Sequence, residues 1–206
     1  ALTVDEILYI ATLTDDNTKK MEVYNKAAEI YPKDYRTFND LGLTQYVAGD
    51  YEGAKSNFEH ARRLNPSAKE PEMNLGLISM LNHNYTKAQE QIGAAAGVPE
   101  AADALGVYYL TQGDLAKAVR TFGDSKTNNA ALAQILSQDY SAAKSTLASI
   151  KNPDATTYYL TAILGARTNN ENMVMSNLRQ AVKLDKSLLS RAKNDLEFAK
   201  YNLSYL

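Results

Sequence analysis

The chain has 206 residues, 45% of them apolar and 22% charged, with a net charge of −2, 14 Tyr, no Trp and no Cys. That length suits one or two compact domains or one repeat array. The missing Cys excludes disulfides, thiol chemistry and thiolate metal sites, and the dispersed, slightly acidic charge offers no phosphate-tracking stripe for nucleic acid.

No apolar run approaches the ~18 residues of a membrane span; the longest, such as 158–166, fall short. The chain begins at Ala1 with neither Met nor a signal-like segment, which fits a processed or excised piece of a larger protein.

The first clear pattern is a helix pair over 1–34, with Ile7, Tyr24, Ala27 and Pro32 as markers. The best-preserved pair follows at 35–68. Phe38, Leu41 and Gly42 share one helical stripe and Ala54, Phe58 and Ala61 another, with a break at Ala48-Gly49-Asp50 and a stop at Pro66. The interval from Leu41 to Leu75 is the repeat period. A shift by that period maps this pair backward onto the first and forward onto Leu75-Gly76, Tyr85, Ala88, Ile92 and Ala95. The third pair is therefore 69–98. Leu105-Gly106 follows Leu75-Gly76 sooner than the period requires and defines a shortened fourth pair at 99–123, with Gly113-Asp114, Ala118 and Phe122. Asp139-Tyr140, Ala143 and Leu147 arrive after a still shorter interval and mark a fifth pair at 124–154, in which one helix is expected to be short or to start late. Tyr158, Ala162, Val174, Leu178 and Ala181 mark the sixth at 155–187, with Asn169-Asn170 at its turn. Leu188, Leu189, Ala192, Leu196, Ala199 and Leu203 predict one amphipathic cap helix over 188–205, with Lys193, Glu197 and Lys200 in solvent.

Internal repetition at this period marks stacked helical hairpins, none able to bury its apolar face alone. The Leu41-Gly42, Ala54, Phe58, Ala61 and Pro66 spacing resembles the tetratricopeptide repeat (TPR) family, and the likeness extends over nearly the whole chain, weakest around 123–137. Gln45 and Ser79 depart from its pattern at the position that favours an aromatic residue or Leu. The resemblance implies an all-α, right-handed α-α superhelix of about six helical hairpins plus a C-terminal cap helix, forming a single domain over 1–206. The wording YYLTAILGARTNN and DLEFAKY is also similar to TPR segments in cell-envelope proteins of Gram-negative anaerobes, which implies a periplasmic or outer-membrane-associated setting, with the cytoplasm as the other option.

Residues that could do chemistry are sparse. His60 and His83 have no second ligand at metal-like spacing, no phosphate-cradling glycine loop follows a strand, and Asp15-Asp16 reads as a helix cap. Neither catalysis, metal nor cofactor is expected. The recurrent Tyr31, Tyr35, Tyr51, Tyr85 and Tyr140 read as packing residues at helix ends.

In TPR proteins the first helix of each pair lines the concave face. A stripe one step round from the packing residues then becomes the candidate protein-binding groove: Arg36, Asn39, Leu43 and Tyr46, then Met73, Leu77 and Met80, then Asp103, Val107 and Leu110. Glu70 and Glu100, Asp5, Tyr9 and Thr12, and Tyr159 and Ile163 extend it. Some relatives grip a C-terminal carboxylate with Lys, Asn and Arg. Asn74 matches one such position, but Asp40 and Glu6 occupy its equivalents and the stripe has no Lys, so that clamp is not expected. The apolar, Met-containing centre suits a segment of another protein, or of a larger parent chain. Two alternatives stand beside it: a structural or self-associating module with the groove filled from within, and a glycan or small-ligand site using groove Tyr and Asn.

Overall fold

Thirteen α-helices and one 3-10 turn make up the computed structural model, which describes all residues from Ala1 to Leu206. Six helix pairs follow one another along the sequence: α1 (Val4–Ala11) with α2 (Asn17–Ile30), α3 (Tyr35–Val47) with α4 (Tyr51–Leu64), α5 (Lys69–Leu81) with α6 (Tyr85–Gly93), α7 (Pro99–Thr111) followed by α8 (Leu115–Phe122), α9 (Asn128–Leu136) with α10 (Tyr140–Ala148), and α11 (Ala155–Arg167) with α12 (Glu171–Leu184). A short α13 (Leu188–Asn194) and a 3-10 turn at Leu196–Phe198 close the chain. The all-α hairpin architecture expected from the repeats is present. The chain divides into two compact units, Ala1–Tyr108 and Tyr109–Leu206, where the repeats imply a single domain.

Local sequence explains each hairpin. Asp50, Asn84, Asp114, Asp139 and Asn170 cap the second helices, each side chain accepting a backbone N–H from the first turn. The residue just before each cap takes a left-handed conformation: Gly49, His83, Gly113, Gln138 and Asn169, with φ between 57° and 87°. The cap N–H then reaches back five residues, from Asp50 to the Gln45 carbonyl at 2.9 Å and from Asp139 to the Gln134 carbonyl at 2.9 Å. This turn closes the first helix and starts the second in two residues. Glycine tolerates it freely, whereas Gln138 carries a strained Cβ.

Packing within and between hairpins uses the same few side chains. A Cβ on Gly42 would lie 2.6 Å from the Phe58 ring, so only glycine admits that ring against the α3 backbone. Phe58 is fully buried and joins Ala54 to Leu75 and Ile78 of α5. Burying one such ring is worth about 2–3 kcal/mol. In the first unit the apolar interior is a succession of such clusters, from Ala11, Tyr24 and Leu41 to Met73, Met80, Ile92 and Ala104. In the second unit Ile135, Leu147 and Leu164 form one cluster, and Tyr159, Leu178 and Phe198 belong to another.

The C-terminal cap differs from the continuous helix expected over 188–205. Asp195 adopts an extended conformation that ends α13, and its carboxylate accepts the Glu197 N–H and the Tyr159 hydroxyl, the latter at 2.6 Å. Phe198 drops into the core edge-on to Tyr159, while Leu196 is left 90% exposed. Glu197, expected in solvent, accepts from Arg167 of α11 at 3.1 Å through both oxygens. One helix cannot aim Ala192, Phe198 and Leu203 at the same core, so the chain breaks to do it.

A charge is also half-buried under the α2–α3 contact. Desolvation pushes the Asp40 carboxyl up to about 6, against the pull of Arg36, and the same burial together with the Asp40 charge raises the Tyr24 hydroxyl. Because the folded pKa lies above the unfolded one, this site favours folding most below pH ~4, and the contribution is lost as pH rises through about 6.

Two measurements test these assignments. Chemical denaturation of Gln138→Gly should show a gain of about 0.5–1 kcal/mol, and Gly49→Ala a loss of about 1 kcal/mol; equal effects at the two sites would contradict the left-handed turn. Asp40→Asn should stabilise the protein by about 1 kcal/mol at pH 7.5, a figure discounted for partial solvent screening, and by close to nothing at pH 4.

Candidate functional site

The proposed groove residues stand on the first helices, and they divide sharply by burial. Arg36 begins α3, where Asp34 caps the helix. It is already committed, with its guanidinium 2.8 Å from Asp34 and 2.6 Å from Asp5 of α1. Those carboxylates push Arg36 further above its usual range, and hydrogen bonding to Arg36 holds Asp34 below its own. The pairs are partly exposed and serve to hold α3 to α1 more than to stabilise the fold.

Asn39, expected in the groove, is buried. It accepts a 2.9 Å hydrogen bond from Asn74 Nδ2, while Asn74 Oδ1 has no partner. This buried amide pair links α3 to α5 across the stripe. Leu43 and Tyr46 are half-buried against the Ala54–Phe58–Leu75–Ile78 cluster, and Tyr46 meets Tyr51 edge-on with ring centroids 5.5 Å apart.

Met73 and Met80 are core residues, which corrects their expected exposure. They pack with Ala88 and Ile92 of α6 and with Ala101 and Ala104 of α7, and Leu77 and Val107 lean on the same cluster. The small side chains of α7 admit the long methionines, whose flexible thioethers fill the gap. Asp103 and Leu110 are half-buried, Leu110 lying in the second unit. Tyr159 is buried under the C-terminal cap and lines no groove. The structure thus brings Met73, Leu77, Met80 and Val107 together, but as packing.

A different row remains open. Leu13, Val47 and Leu81 sit at or just past the C-terminal ends of α1, α3 and α5, and they are 68%, 70% and 39% exposed. They are separated by the repeat period, and one helical turn before each come Tyr9, Leu43 and Leu77. Residues four apart share a helix face, so α3 and α5 each end in an apolar pair; Tyr9 and Leu13 hold the equivalent places, with Leu13 two residues past the end of α1. Tyr9 is exposed, and Leu43 and Leu77 are half-buried. The reading of the stripe stopped one residue short of this row; its signal was present as three apolar residues at the repeat period.

No three His, Cys, Asp or Glu side chains converge where they could hold a metal ion. His60 stacks edge-on with Phe38 at 4.3 Å, and His83 pairs with the Tyr85 hydroxyl at 2.9 Å, so both have packing roles. No helix is long and apolar enough to cross a membrane.

Comparison with known proteins gives the fold a name. No protein-family model and no curated protein sequence matches the chain. Solved structures do. A chain of the APC/C hetero-tetramer Cut9–Hcn1 superposes with a TM-score of 0.73 at 15% identity, over 96% of this chain and 42% of that one, so this chain spans less than half its length. A tetratricopeptide repeat protein from Parabacteroides merdae gives 0.66 at 13% identity, over 91% of this chain and 82% of that one. Pseudomonas aeruginosa pilF gives 0.60 at 16% identity, over 96% of both chains. At such identities the likeness carries the fold, and with its capped hairpins and Gly-to-aromatic contacts the chain has the tetratricopeptide-repeat fold.

Proposed function

We propose that this chain is a non-catalytic protein-binding scaffold, and that its first unit engages an apolar segment of a partner along Tyr9/Leu13, Leu43/Val47 and Leu77/Leu81. One observation carries the reading: an exposed apolar residue, Leu13, Val47 or Leu81, recurs at the same place in three successive hairpins, four positions after Tyr9, Leu43 or Leu77. Scattered exposed apolar residues need no explanation, but a row at the repeat period forms a continuous patch of the kind that a helix or extended segment covers. Half-exposed Tyr46 adjoins Val47 in this row, Arg36 holds a fixed charge at the start of α3, and half-buried Asp103 lies on α7. A fold neighbour occurs in a hetero-tetramer, which supports protein binding by analogy of fold.

The burial of Met73 and Met80 favours a second reading for the centre of the stripe, that of a structural module filled from within. The two readings concern different residues and separate cleanly. The cell-envelope setting and a larger parent chain rest on the sequence resemblance, and fractionation of source cells tests the former.

A triple variant, Leu13→Ser, Val47→Ser and Leu81→Ser, should keep its stability within about 0.5 kcal/mol per site, yet lose most of the partner captured by crosslinking from source lysate. Met80→Ser should instead cost about 2–4 kcal/mol in denaturation. Undiminished capture by a folded triple variant would remove the row as the binding surface.

A further inference from the structure

Within the chain, α1 is the only first helix with no second helix packed ahead of it. α3 lies on α2, α5 on α4, α9 on α8 and α11 on α10, and α13 lies on α12. α7 shares a cluster with α6. Four of the six second helices, α4, α6, α8 and α10, bring the same chemistry to this contact: a small residue and, four positions later, a large apolar one. Ala54/Phe58, Ala88/Ile92, Ala118/Phe122 and Ala143/Leu147 are all buried examples.

The face of α1 that lacks such cover has the matching residues. Ile7 and Ile10 stand two repeat periods before Leu75 and Ile78, which are the side chains that α4 covers with Ala54 and Phe58. Ile7 and Ile10 form one side of a groove of about 670 Å³, and Val23, Lys26 and Ile30 of α2, with Leu2, form the rest. Ile10 is 40% and Ile30 52% exposed. Glu22, Lys26 and Glu29 stand on the rim.

We propose that this groove docks an amphipathic α-helix of a partner, carrying a small residue and a large apolar one four positions apart: the second helix of another hairpin of this type. The surface continues the interface already repeated along the chain. A second copy does not supply the occupant in this mode, because its own helices of this pattern are buried on their own first helices. The groove lies on a different face from the apolar row and does not depend on that reading.

The test uses a helix of known cover. A synthetic peptide spanning 50–65, with Ser56→Lys joined to Glu52 by a lactam bridge on the exposed side, holds the α4 conformation. It is titrated into the full chain while isoleucine methyl signals are followed by NMR. Saturable shifts are expected at Ile7, Ile10 and Ile30, with none at Ile135. A Phe58→Ala peptide should bind at least about tenfold more weakly, and Ile10→Asp in the chain should abolish the shifts with its thermal midpoint unchanged. No shift, shifts elsewhere, or equal binding by the Phe58→Ala peptide would overturn the proposal. So would concentration-dependent dimerisation in sedimentation that Ile10→Asp abolishes, since a second copy would then be the occupant.

Discussion

The ring of Phe58 rests on the bare backbone of Gly42 and, on its other side, against Leu75 and Ile78. One side chain therefore closes its own hairpin and joins it to the next. Ile92 repeats the first contact on Gly76, where a Cβ would meet it at 2.7 Å. Phe58 and Ile92 are thus each used twice, which is how helices of 8 to 14 residues become stable when none would be alone. Everything else in the molecule depends on this sharing, including the absence of a single central core within either unit.

Sharing also explains how the array survives irregular lengths. The interval between equivalent positions shrinks twice, from Leu75 to Leu105 and again from Ala118 to Ala143, yet the capped left-handed turn persists at Gly113-Asp114 and Gln138-Asp139. The first loss falls on α6, with 9 residues against 14 in α4, and the second on α8 and α9 with the link between them, where Gly123 takes a positive φ. Contacts made only with sequence neighbours tolerate such losses, because a missing turn disturbs one interface rather than a whole core.

The first and last hairpins differ in how their outer apolar faces are covered. At the C-terminus, Phe198 and Leu203 cover the last hairpin while Arg167–Glu197 and Tyr159–Asp195 anchor the covering segment from α11. At the N-terminus the equivalent face of α1 opens into a groove with Ile10 and Ile30 in solvent. Five of the twelve exposed large apolar side chains, Leu2, Tyr9, Ile10, Leu13 and Ile30, belong to the first hairpin and the segment leading into it. The interaction potential of the first unit is concentrated there and along the row that leads away through Val47 and Leu81.

The sequence by itself determined the hairpins, their order and their turns. Gly, Asp, Ala and Pro act there through local backbone geometry and close approach, and these recur at a countable period. It also determined, through the absence of Cys, that the chain has no thiol chemistry. Only the tertiary structure decided which side of each first helix meets water. Met73 and Met80 share a stripe with Leu43, but small Ala101 and Ala104 on α7 draw the methionines inward, and no property of α5 alone foretells that. Asn39 turned inward because Asn74, one repeat further along the chain, lies opposite it. The cap broke at Asp195 because Tyr159 offered it a hydrogen bond from another helix. Periodicity reports a helix's faces; burial depends on the size and polarity of whatever the neighbouring helix presents, and that is settled only when the two meet.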